Sequence, residues 1–185
     1  MPSYEIALLG YALLGLLQQK AASGYELRKI FAETPMGSFS DSPGAIYPAL
    51  ERLETKKLIR GKVEEGPGLR KRKIFHLTAA GIRELTAWLI APVGEQDVVR
   101  RINELMLRFA FLDRAVGKEA TLQFLLSMET ELRRYVPKVK RFFTDNGAAM
   151  PTSSRLALEA GVLGYEARLQ WVTHAISVYR KELLK

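Results

Sequence analysis

Four consecutive cations, Arg70-Lys71-Arg72-Lys73, follow a Gly66-Pro67-Gly68 turn, and Arg60 and Lys62 stand before it, against Glu64 and Glu65. Like charges at that spacing repel, so the cluster is best tolerated beside a polyanion, whose counterions are released as each phosphate is neutralised. Taken alone, a basic run of this kind is more often a solvated loop, so its setting must decide. Other chemistries lack residues. No cysteine occurs, which removes disulfides, thiolate zinc sites and cysteine nucleophiles together. His76 and His174 are far apart, and neither has a second histidine or a carboxylate at metal-ligand spacing. No G-x-S-x-G, phosphate-binding loop, GxGxxG or paired carboxylate beside a base is present. Neither an enzyme nor a cofactor is therefore expected.

The bulk numbers agree with the local cluster. Across 185 residues there are 28 Lys and Arg against 20 Asp and Glu, a formal charge of +8, which favours a polyanionic partner, nucleic acid before anionic membrane. A hydrophobic content of 48% suffices for a core. The first apolar run, residues 6–17, follows no basic stretch and is too short to span a bilayer, so a cytoplasmic protein without a membrane partner is expected.

The elements that must position the cations can be read from periodicity. Residues 4–19 are apolar on too many faces for a surface helix, which predicts burial from several sides. Ser23 offers an N-cap to a second helix through Tyr25, Leu27, Ile30 and Phe31, ending near Glu33. Ser42-Pro43 reads as N-cap and first residue of a third. In it Ile46, Leu50 and Leu53 form a core stripe, Tyr47, Ala49 and Arg52 point elsewhere, and Pro48 predicts a kink. Ile59 and Val63, then Ile74, Phe75 and Leu77, flank the glycine-rich turn as a two-stranded hairpin. Thr78 caps a fourth helix whose apolar positions are Ile82, Leu85 and Leu89.

The order of three helices, basic hairpin and helix is that of a winged helix-turn-helix. The fold expected is mainly α: this domain over residues 1–91, then an α-helical domain over residues 92–185 beyond the Pro92-Val93-Gly94 hinge. The latter carries apolar seams Val98 to Leu112, Leu125 to Phe142 and Leu158 to Leu183, spaced alternately by four and three. Pro137 should bend the second, and residues 147–154 divide it from the third. The last seam runs almost four heptads, more than one short partner covers, which predicts a homodimer. Trp88, Phe109, Tyr165 and Trp171 are candidates for lining a small aromatic effector pocket, although rings at helical spacing are more often core.

Several ordered segments together resemble the PadR family of transcriptional regulators. They are Ser23-Gly24-Tyr25-Glu26-Leu27, Gly44-Ala45-Ile46-Tyr47-Pro48-Ala49-Leu50-Glu51-Arg52-Leu53-Glu54, Leu58-Ile59, and the basic wing leading into Leu77-Thr78-Ala79-Ala80-Gly81. The resemblance implies a dimeric, sequence-specific binder of double-stranded DNA on a near-palindromic operator, a repressor released by a small molecule. It also implies that Ser42, Gly44, Ala45, Tyr47, Lys71, Arg72 and Lys73 face the duplex, and Tyr25, Arg52 and Arg70 complete the candidate set. Ile74-Phe75 and Ala79-Ala80 depart from the family's frequent tyrosines and acidic residues. The rival expectations are a protein-docking winged module and a carrier or enzyme residing in the helical domain. The first would lack the steep salt dependence of a DNA binder; the second would survive loss of residues 1–91.

Overall fold

The computed structural model describes residues 6–34, 36, 43–65 and 71–185. It divides into two compact units that part between Leu89 and Ile90.

In the first unit α1 (Leu8–Gln19) lies against α3 (Ile46–Thr55), α4 (Ala79–Leu89) and strand β3 (Lys71–Leu77). Every residue from Gly10 to Gly15 is buried, which is why the helix can be apolar all round. Tyr11 stacks on Trp88 with ring centroids 4.3 Å apart, and its hydroxyl donates to Glu84 Oε1 at 2.8 Å. Leu27 of α2 (Gly24–Glu33), Ile46, Leu50, Ile59 and Leu85 complete the core. β2 (Ile59–Glu65) and β3 form the expected hairpin in antiparallel register, Ile59 opposite Leu77 and Glu65 opposite Lys71.

Four features differ from the sequence reading. The sheet has a third member, the two-residue β1 (Ala22–Ser23), which pairs with β3 so that the order is β1-β3-β2. The α-helix of α3 begins at Ile46, after a 3-10 turn at Pro43–Ala45. Pro48 thus sits in the first helical turn, where N–H groups have no intrahelical acceptor, and a kink is not required. Ala49 is buried, its small side chain fitting beside the Ile46, Leu50 and Leu53 stripe, whereas Ile82 is 46% exposed. The inward positions of α4 are Gly81, Leu85, Trp88 and Leu89.

Two local signals end α3 and start α4. Lys57 takes a left-handed conformation, φ 58°, with its N–H donating to the Glu54 carbonyl at 2.8 Å and the Leu58 N–H to the Leu53 carbonyl at 2.9 Å. These are the paired bonds of a Schellman C-cap. The Thr78 hydroxyl accepts the Gly81 N–H at 3.0 Å, the N-cap expected of it, and donates to the Lys57 carbonyl at 2.8 Å. A Cβ on Gly81 would lie 2.1 Å from the Leu58 carbonyl oxygen, so the helix can approach the α3–β2 turn only with glycine there.

The second unit is helical throughout: α5 (Glu95–Arg100), α6 (Ile102–Val116), α7 (Lys118–Asn146) and α8 (Thr152–Leu183). The first predicted seam is therefore two helices, separated at Arg101. α7 continues through Pro137. Its pairs with α8 run antiparallel: Lys118 with Glu182 at 2.8 Å, Glu129 with Thr173 at 2.8 Å and Lys140 with Glu166 at 2.6 Å. Phe124, Leu125, Met128 and Leu132 of α7 are buried, as are Val162, Val172, Ala175 and Ile176 of α8, and the Phe124 ring lies under Arg108 of α6. No helix among the described residues is long and apolar enough to cross a membrane.

Candidate nucleic-acid interface

Of the sequence-predicted residues, Tyr25, Tyr47, Arg72 and Lys73 come together because three short elements are tied to one another, whereas Arg52 lies elsewhere, beside Gly10 and Lys56. β1 bonds to the inner wing strand, Ala22 opposite Phe75 and Ser23 opposite Ile74, and Ser23 then caps α2. Ser23 Oγ accepts the Glu26 N–H at 3.2 Å, while Glu26 Oε2 accepts the Ser23 N–H at 2.8 Å, a reciprocal capping box. The Ser23 N–H and the Ser23 hydroxyl, which donates to Glu26 Oε2 at 2.7 Å, with a smaller contribution from the Arg72 charge, hold the Glu26 carboxyl below the usual carboxylate range. Tyr25 in the next position is 65% exposed. Gly24 lets α3 come close, since a Cβ there would lie 2.7 Å from the Tyr47 ring.

The result is a groove of about 310 Å³ in which Tyr25 and Tyr47 share a wall with Arg72 and Lys73. Tyr47, 45% exposed, belongs to the first turn of α3, and Gly44 is exposed just before it. Two phenol hydroxyls and a guanidinium at the rim of the groove offer donors to a phosphate backbone, while Glu51 and Glu54 line the same groove, the latter neutralised by Lys73. Arg52, five residues further along α3, is also exposed.

The basic run does not act as one block. Lys71 and Arg72 are exposed. Lys73, although also exposed, is paired with Glu54 of α3 at 2.6 Å and lies over the Phe75 ring, 5.2 Å from its centre. Glu54 also accepts the Gly61 N–H at 3.0 Å. The Lys73 hydrogen bond first, and the Gly61 bond after it, keep the Glu54 carboxyl below its ordinary range.

Residues 13–87 match the model of the transcriptional regulator PadR-like family. The first unit is therefore similar to the PadR-like family over these residues. The chain is similar to the negative transcriptional regulator PadR of Bacillus subtilis, 33% identical over 114 residues that span 61% of this chain and 61% of that protein. It is similar also to the transcriptional regulator YqjI of Escherichia coli, 38% identical over 58 residues, 31% of this chain and 28% of that one. The aligned stretches thus cover less than two thirds of either relative. A solved structure of Bacillus subtilis PadR in complex with operator DNA aligns over 94% of this chain and 98% of its own at 24% identity, with a TM-score of 0.43.

Within the first unit, Tyr25, Gly44, Ala45, Tyr47, Arg52, Lys71, Arg72 and Lys73 are described, and Ser42, Arg70 and the Gly66-Pro67-Gly68 tip lie outside the described residues. Sequence reasoning missed Glu54 and Gly61. The available signal was the lone glycine inside a strand pattern, which marks a close approach. The proposed aromatic set is divided. Trp88 belongs to the first unit's core, stacked on Tyr11, while in the second unit Phe109 meets Trp171 edge-on at 5.3 Å and Tyr135 meets Tyr165 at 4.8 Å. His76 Nε2 lies 4.0 Å from Glu64 Oε1, His174 is exposed, and among the described residues no three His, Asp or Glu gather as metal ligands.

Proposed function

We propose that the chain is a DNA-binding transcriptional regulator that works as a homodimer on a near-palindromic operator, as a repressor that a small aromatic molecule releases. The carrying observation is the groove where Tyr25, Tyr47 and Arg72 meet beside the first turn of α3, in a unit similar to the PadR-like family. In this reading the small residues Gly44 and Ala45 let the start of α3 approach base edges in the major groove. The tyrosine hydroxyls donate to backbone phosphates, and Lys71 and Arg72 neutralise the flanking ones. The Bacillus subtilis relative's name as a negative regulator supports repression as the sign.

The dimer is supported by α8. Its first turns are exposed on nearly every side, with Leu156 52% and Leu163 58% open, one heptad apart on one face. Apolar side chains at that spacing suit a second helix. The effector reading is supported by the half-buried rings of Phe109, Trp171 and Tyr179, which meet edge to face in the second unit.

Selection of bound fragments from genomic DNA, followed by titration of an enriched duplex over a range of salt, tests the function. Affinity should fall linearly on logarithmic axes, and Arg72→Ala should flatten the slope by roughly one unit if Arg72 neutralises one phosphate. Absence of preference for any duplex over heparin would end the proposal. Sedimentation should find a dimer at micromolar concentration, and aromatic acids that raise the melting temperature should weaken operator binding.

A further inference from the structure

The wing and α3 must hold a fixed relation if both are to meet one duplex, and one carboxylate spans that joint. Glu54, in the last turn of α3, takes a hydrogen bond from β2 through the Gly61 N–H at 3.0 Å and from β3 through Lys73 Nζ at 2.6 Å. Both strands are thereby attached to the same side chain. Gly61 makes the junction possible, because a Cβ there would lie 2.0 Å from Lys73 Cε and 2.9 Å from Glu54 Oε1. The Phe75 ring below the ammonium confines Lys73 from a further direction.

We infer that Glu54 is a positioning residue that latches the wing to α3, and that Lys73 serves this latch, leaving phosphate contact to its neighbours Lys71 and Arg72. This inference rests on the DNA-binding reading above and deepens it. It divides the four-cation run by role. A lysine occupied by a carboxylate at 2.6 Å releases no counterion when a phosphate arrives, whereas a solvated arginine does.

The signs of the variant effects separate the two roles. Glu54→Gln keeps an oxygen for the Gly61 N–H and removes only the charge facing Lys73. If electrostatics alone mattered, losing a negative charge would tighten binding to DNA; loss of the latch weakens it. Glu54→Gln and Lys73→Met should each weaken binding of the selected duplex by about fivefold, the ceiling for a partly exposed pair. Their combination should be no worse than either alone. Lys73→Met should leave the salt slope at the wild-type value, in contrast to Arg72→Ala. Gly61→Ala, which displaces only the flexible end of Lys73 and crowds Glu54, should mimic Lys73→Met. Circular dichroism melts of each variant confirm that the domain is folded.

Tighter binding by Glu54→Gln, or a slope reduced by roughly one unit in Lys73→Met, would overturn the latch. If the wild-type chain binds no duplex, it is the functional reading that fails. The latch is then tested in the free protein, where Glu54→Ala should accelerate amide exchange at Gly61, and an unchanged rate would refute it.

Discussion

The two units differ in how they treat their most apolar helices. The first encloses its own: α1 is packed by α3, α4 and β3, and Tyr11 and Trp88 are nearly solvent-free, although Val63 and Ile82 stay exposed elsewhere in the unit. The second leaves Phe142 52%, Leu156 52% and Leu163 58% exposed along helices of 29 and 32 residues. A helix of the latter length reaches about 48 Å, beyond the part of α8 that contributes Val162, Val172, Ala175 and Ile176 to the interior. One unit encloses its most apolar helix; the other leaves apolar side chains of its long helices open, the face on which the proposed dimer would form.

Substitutions can break that contrast. The largest effect is expected from Gly81→Ala, which drives a methyl group against the Leu58 backbone carbonyl and should destabilise the first unit by about 3 kcal/mol. Calorimetry should show its transition falling while that of the second unit stays in place; a joint fall would mean that the units are not independent. Next, Leu163→Lys should weaken self-association by about 2 kcal/mol, roughly thirtyfold in the dimer constant, with little change in helix content. Sedimentation reads the outcome, and an unaltered dimer would move the interface away from this face of α8.

Smaller changes sharpen the account of the first unit. Lys57→Gly removes the penalty of a left-handed lysine and should stabilise by up to about 1 kcal/mol in denaturant titration. The acid limb gives the smallest effect. The Glu54 carboxyl is held below its unfolded value, so its contribution is full above that value, near pH 4.3, and is lost as pH falls through the lowered folded one. Because the pair is partly exposed, the loss should be about 0.5 kcal/mol. Melts between pH 6 and about pH 3 should show Glu54→Gln falling less steeply than wild type.

What the sequence made legible follows what is locally encoded. The all-round apolarity of α1, the Ser23 and Thr78 caps and the hairpin are written in spacing and side-chain type, and the structure has them. β1 is two residues long and exists only because β3 lies beside it, so no periodicity marks it. Ala49 went the wrong way, and the apolar Ile82 lies exposed, for a related reason: a face of α3 closed tightly enough to bury alanine, and α4 turned so that Gly81 faces the α3–β2 turn and Ile82 faces water. The basic run was visible as composition, but its division was not, since the partner of Lys73 lies nineteen residues away on another element.

The sheet order places β2 at an edge, where Glu54 takes up the Gly61 N–H but the rest of the strand has no further neighbour among the described strands. Arg60, Lys62 and Glu64 alternate along it, and charges so placed discourage strand addition. The wing's cations therefore guard solubility as well as forming the surface proposed for DNA. A wing stripped of charge to abolish that contact would also become adhesive, so precipitation of such a variant would report an unguarded strand and not an unfolded domain.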